Sequence, residues 1–133
     1  MKTHLALALA VASLCGAVAG ALAMRALHAK SNPMAFVITE IQVTDPEAYR
    51  TEYAPKIAKV NQEAGAIYLA RGGKTVTLDG APPEGRVVVL EFENWDTAMA
   101  WRNSAAHKAL IPLRDKYSKT RSYVVEGAPP APR

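Results

Sequence analysis

RVVVLEFE, residues 86–93, is the stretch whose reading decides the fold. Three consecutive valines followed by Leu90 and Phe92 are strand formers on both parities. A strand apolar on both faces suits the middle of a covered sheet better than a half-wet edge. Working upstream, AFVITEIQV at 35–43 is a second strand rich in β-branched and aromatic residues. Asp45-Pro46-Glu47 follows it: a side chain able to accept from free helix N–H groups, a proline suited to the first turn, and a favourable negative charge. The spacing predicts a helix from Pro46 to about Ala64, ending at Gly65, with a buried stripe of Tyr49, Tyr53, Ile57 and Val60 and a kink at Pro55.

AIYLARGG, 66–73, reads as a short strand closed by two glycines, and KTVTL, 74–78, as a second extended piece. Residues 79–85 are turn-rich. Downstream of 93, Asn94 or Asp96 can cap a helical region with an Ala98, Trp101, Ala105 stripe. A break is expected near Asn103-Ser104, and the helix resumes through His107, Leu110 and Leu113 to Tyr117 with Pro112 inside. TRSYVVE, 120–126, is the last strand.

Strand, helix, strand, strand, helix, strand is the ferredoxin-like βαββαβ order of an α+β fold. Right-handed crossings place both helices on one face of an antiparallel sheet, with the first and third strands as central neighbours. The opposite sheet face would carry Phe36, Ile38, Val87 and Val89, which is too apolar to leave wet. A second copy packed sheet to sheet is the economical cover, so a homodimer with a barrel-like core is expected.

The 133 residues suit one folded domain preceded by an address label. Residues 5–23 carry no charge, Lys2 precedes them and Arg25 follows, which is the pattern of a secretory signal. Cleavage after Ala23 or after Ala29 fits the small-residue rule, and the second is favoured because the composition turns polar at Lys30-Ser31-Asn32-Pro33. The organisation is then a signal at 1–29, a linker at 30–33, a domain at 34–127 and a disordered tail at 128–133, exported to the periplasm or secreted. The alternative is an uncleaved signal anchor, and membrane contact is expected only through this segment. Lipidation at Cys15 is disfavoured because Leu14 precedes it and the apolar run continues beyond.

Removing the signal changes the chemistry on offer. The whole chain has 16 basic and 12 acidic residues; Lys2 and Arg25 leave with the signal and no acid does, so 14 face 12 and the charge is about +2. The cations are scattered among the acids, which excludes a nucleic-acid patch. Cys15, His4 and His28 leave as well, so disulfides, thiol catalysis and multi-histidine metal sites are excluded, and no cofactor or metal is expected.

The chain resembles the DUF1330 group of the dimeric α/β-barrel superfamily. The carrying stretches are Val43-Thr44-Asp45-Pro46-Glu47-Ala48-Tyr49, Arg71-Gly72-Gly73, Arg86-Val87-Val88-Val89, Trp101 through Lys108, Pro112-Leu113-Arg114 and Val124-Val125-Glu126-Gly127. The resemblance spans about residues 34–127 and implies the fold and the dimer, but no established activity. Relatives usually show Tyr where this chain has His107. The same superfamily holds cofactor-independent quinone-forming monooxygenases and haem-degrading enzymes. Aligned on Trp101-Arg102-Asn103-Ser104, the haem group's iron-ligand histidine falls on Ile111 and its tryptophan on Phe92, so haem degradation is not implied.

His107 is the one side chain of the domain that titrates near neutrality unperturbed. Arg114 lies two turns further along the same helical face, and the two can hold a carboxylate or enolate. The bland reading puts His107 at a helix surface or dimer edge and pairs Arg114 with an acid. Glu40 and Glu91 interrupt apolar strands; as neighbours they would form an acid–base pair, and otherwise they meet an arginine such as Arg71 or Arg121. Gly73-Lys74-Thr75 lacks the upstream glycine of a phosphate loop, since position 68 is Tyr68. Trp101 is expected in the core and Trp95 partly exposed.

The catalytic candidates are therefore His107, Arg114, Glu40 and Glu91, and the ligand-pocket candidates Arg71, Trp101, His107 and Arg114. Two functions fit: a homodimeric protein that is structural or binds a small apolar or carboxylate-bearing ligand, and a cofactor-independent monooxygenase- or isomerase-like enzyme using His107 with Arg114.

Overall fold

A computed structural model describes residues 32–129, and the folded unit is Pro33–Ala128. The signal segment and most of the tail lie outside the described residues. The elements are β1 (Ala35–Val43), α1 (Pro46–Ala48), a π-helical turn (Tyr49–Tyr53), α2 (Ala54–Glu63), β2 (Ile67–Arg71), β3 (Arg86–Phe92), α3 (Trp95–Asn103), α4 (Ala105–Tyr117) and β4 (Ser118–Glu126). The sheet order is β2-β3-β1-β4 with every pairing antiparallel, so β1 and β3 are central as the strand pattern predicts.

The first helix starts where Asp45 Oδ1 accepts from Ala48 N at 3.1 Å. Pro55 does not simply kink it. The chain widens into a π turn, in which Ala54 N donates to Tyr49 O, and α2 begins immediately afterwards. Pro55 thus falls in the first turn of α2, where its missing N–H breaks no helical bond. Gly65, at φ 73°, then turns the chain out toward β2.

KTVTL departs from expectation: residues 74–78 join no strand, and Val76 and Leu78 are 81% and 87% exposed. β3 already has β2 on one side and β1 on the other, so the segment between β2 and β3 has no ladder place beside β3.

The second helical region breaks as expected. Asn94 Oδ1 caps α3 by accepting from Thr97 N at 2.9 Å. Ser104 ends α3 and caps α4: its backbone is extended (φ −62°, ψ 148°), and its Oγ accepts from His107 N at 3.1 Å. This corner brings Trp101, at the end of one helix, against His107, at the start of the next.

Alternation along the strands sorts the sheet into two faces. Ala35, Val37, Leu90 and Phe92 form a core with Ala98 and Trp101, and the Phe92 and Trp101 rings lie 5.2 Å apart. A second cluster joins Ile41 with Tyr49, Tyr53 and Tyr117. Removing a fully buried aromatic such as Phe92 costs about 3–5 kcal/mol. On the other face, Ile38 lies opposite Val89 and Tyr123, and Phe36 lies opposite Val125. Tyr123 and Val125 are exposed.

Candidate functional site

A cleft opens between the helices and the inner sheet face, in two lobes. The inner lobe encloses about 80 Å³ and the outer about 360 Å³. Trp101, His107, Arg114, Thr120 and Ser122 line both and form their common border.

Local structure explains who reaches the inner lobe. The π turn places Tyr49 and Tyr53 side by side, with ring centroids 5.1 Å apart. In β2 the register shifts between Tyr68 and Ala70, leaving Leu69 as an extra residue. That bulge lets Tyr68 and Arg71, three apart, both face the helices opposite Leu90 and Val88. The Arg71 guanidinium lies 4.4 Å from the Tyr68 ring centroid. Arg86 shares the parity of Val88, Leu90 and Phe92, so it points to the same side. Gly72 makes room for it: at φ 67°, a Cβ there would stand 2.7–2.9 Å from the Arg86 guanidinium. Arg86 Nη2 donates to Arg71 O over 3.4 Å, while Arg86 Nε is buried with no partner among the described residues.

A polar chain braces the floor. Asn61, 3% exposed, accepts from Trp101 Nε1 at 3.0 Å and donates through Nδ2 to Tyr68 Oη at 2.8 Å. The Tyr68 hydroxyl, used as an acceptor there, keeps its proton to offer to the cleft.

His107 is 5% exposed, so the helix-surface reading of it is wrong; the Ser104 corner folds its ring onto Trp101, with centroids 4.3 Å apart. Its pKa is lowered to about 4, first by burial and then by the charges of Arg102 and Arg114. Arg102 Nη1 lies 3.4 Å from His107 Nδ1. The imidazole is therefore neutral at physiological pH. Arg114 lines the cleft beside it and also pairs with Asp115, Nη2 to Oδ1 at 2.7 Å. Burial raises the Tyr53 and Tyr49 pKa values, so both phenols stay protonated donors.

The inner lobe thus gathers Arg71, Arg86 and Arg114, and among the described residues no Asp or Glu lines it. Among the described residues neither Arg71 nor Arg86 has a carboxylate at ion-pair distance. Such a surplus of unpaired donors, with the Arg86 Nε atom buried among them, favours an anion.

Of the expected site residues, Arg71, Trp101, His107 and Arg114 come together. Glu40 and Glu91 do not. They share the outer sheet face, but Glu91 lies opposite Phe36, four residues along β1 from Glu40, or about 13 Å at strand rise. Glu40 lies opposite Arg121 and pairs with it at 3.4 Å, and its other oxygen accepts from Glu84 N at 3.3 Å. The acid–base pair is thereby removed, and the arginine partner is Arg121 rather than Arg71. Sequence reading missed Arg86, Tyr68, Asn61 and the tyrosine pair as cleft residues. Strand parity carried the signal for Arg86; no comparable signal marked the bulge at Leu69.

The chain belongs to the family described as "Domain of unknown function (DUF1330)", whose model matches residues 34–128. No curated protein matches. Among solved structures, the RPA0582 protein of unknown function from Rhodopseudomonas palustris superposes with a TM-score of 0.57 at 13% identity, covering 83% of this chain in its methylated form and 93% of that one. A conserved protein from Methanosarcina mazei Go1 gives 0.50 at 19% identity, covering 76% and 99%. A Bacteroides thetaiotaomicron protein of unknown function, described as a possible oxidoreductase, gives 0.50 at 15% identity, covering 72% and 99%. At these identities the likeness speaks for the ferredoxin-like α+β fold alone.

Proposed function

We propose that the protein binds a small organic anion in the cleft between helices and sheet. The observation that carries this reading is the convergence of Arg71, Arg86 and Arg114 on an inner lobe that no carboxylate lines among the described residues. The unpartnered Arg86 Nε supports it, because a buried donor without an acceptor costs about 1–3 kcal/mol that a bound carboxylate would recover. Titration with carboxylates by calorimetry tests it: Arg86→Gln should weaken binding at least tenfold, and unchanged affinity would remove the proposal.

We further propose that the protein works outside the cytoplasm as a homodimer. The signal-like residues 1–29 support export, and mass spectrometry of the purified protein should find an N-terminus at Met24 or Lys30. The apolar strip of Phe36, Ile38, Val87 and Val89 supports pairing of outer sheet faces.

A second reading is an isomerase- or monooxygenase-like enzyme without a cofactor. The adjacency of neutral His107 and Arg114 on the border of both lobes favours it. A His107→Ala variant that keeps full turnover of an identified substrate rules it out.

A further inference from the structure

The two lobes differ in chemistry, and the difference specifies the ligand. The inner lobe carries Arg71 and Arg86 besides the shared Arg114, whereas the outer adds only Arg102 to it. The outer lobe is lined by Val37, Ala98, Met99 and Val124 around the Trp101 indole, and among the described residues no acid lines it. Its polar residues other than Arg102 and Tyr123 lie on the border with the inner lobe. The inner lobe, at about 80 Å³, takes a head group and little more, whereas the outer, at about 360 Å³, takes an alkyl chain or an aryl ring.

Resting on the anion-binding reading, we propose that the ligand is an amphiphilic monocarboxylate, with its carboxylate at Arg71 and Arg86 and its apolar body along Met99 and Val124. The border sets the order of the groups. Thr120 and Ser122 can accept or donate at the neck, and His107 as a neutral imidazole tolerates an apolar body passing it better than an imidazolium would. A small dicarboxylate fits less well, because a second carboxylate drawn to Arg102 or Arg114 leaves the apolar wall of Val37, Ala98, Met99 and Val124 uncovered.

Calorimetric titration of the purified protein with propanoate, octanoate, 3-phenylpropanoate, succinate and octan-1-ol tests this. Octanoate or 3-phenylpropanoate should bind at least tenfold more tightly than propanoate or succinate, since each buried methylene adds to affinity, and octan-1-ol should bind far more weakly than octanoate. Met99→Gln should erase several-fold of the gain from the tail while leaving propanoate or succinate affinity unchanged. Val124→Thr, nearly isosteric, should do the same, with its denaturation midpoint measured alongside to show that the fold is kept. If succinate or propanoate binds in an Arg86-dependent way and a tail adds nothing, the amphiphile proposal fails while the anion site stands. If none of the acids binds, both fall.

Discussion

Trp101 and His107 face each other across Ser104, ring centroids 4.3 Å apart, although they belong to different helices. The contact buries a titratable ring beside two arginines, and stability should therefore depend on pH. His107 protonates near 6.5 when unfolded and near 4 when folded. Between those values the unfolded chain binds more protons, so this contribution is present above about pH 6.5 and is lost as pH falls toward 4. The full loss is about 3 kcal/mol. Urea melts of wild type and His107→Gln across that range should diverge in slope; parallel profiles would contradict the burial of a neutral ring.

Gly72 and Arg86 should be coupled. Gly72→Ala meets both a left-handed backbone and the Arg86 guanidinium, and should cost about 1–3 kcal/mol. Shortening Arg86 to alanine leaves only the backbone part of that penalty. A double-mutant cycle by chemical denaturation should give a coupling above about 0.5 kcal/mol, and strict additivity would show that the guanidinium does not rest on Gly72.

Asn61 holds Trp101 and Tyr68 together from a fully enclosed position. Asn61→Leu leaves the indole N–H without its acceptor and should cost about 1–3 kcal/mol. The tryptophan emission and the denaturation midpoint should both move. An unchanged midpoint would mean that the indole finds another acceptor.

The outer sheet face provides a test of assembly. Val89 lies opposite Ile38 in the middle of that face. Light scattering should give the mass of two chains for the wild type and of one for Val89→Glu. A single-chain mass for the wild type overturns the dimer.

The acids offer a contrast in legibility. Glu40 and Glu91 stood out in the sequence because each interrupts an apolar strand, and strand parity puts both on one face. What separates them is the antiparallel register, which runs Glu91 alongside Phe36 and Glu40 alongside Val87. Arg86 shows the converse. Its parity with Leu90 and Phe92 was legible, but its role depends on Gly72 yielding space and on β2 arriving beside it.

The sequence by itself determined the strand and helix order, the cap at Asp45, a second cap at Asn94 or Asp96, a break near Asn103-Ser104 and the centrality of RVVVLEFE. These follow from periodicity and from hydrogen bonds that side chains make within three residues of themselves. Tertiary structure alone decided the cleft. A bulge at Leu69 re-aimed Arg71, and antiparallel register chose Arg121 for Glu40. Each of these depends on where a distant strand or helix lies, and a local pattern carries no record of that distance.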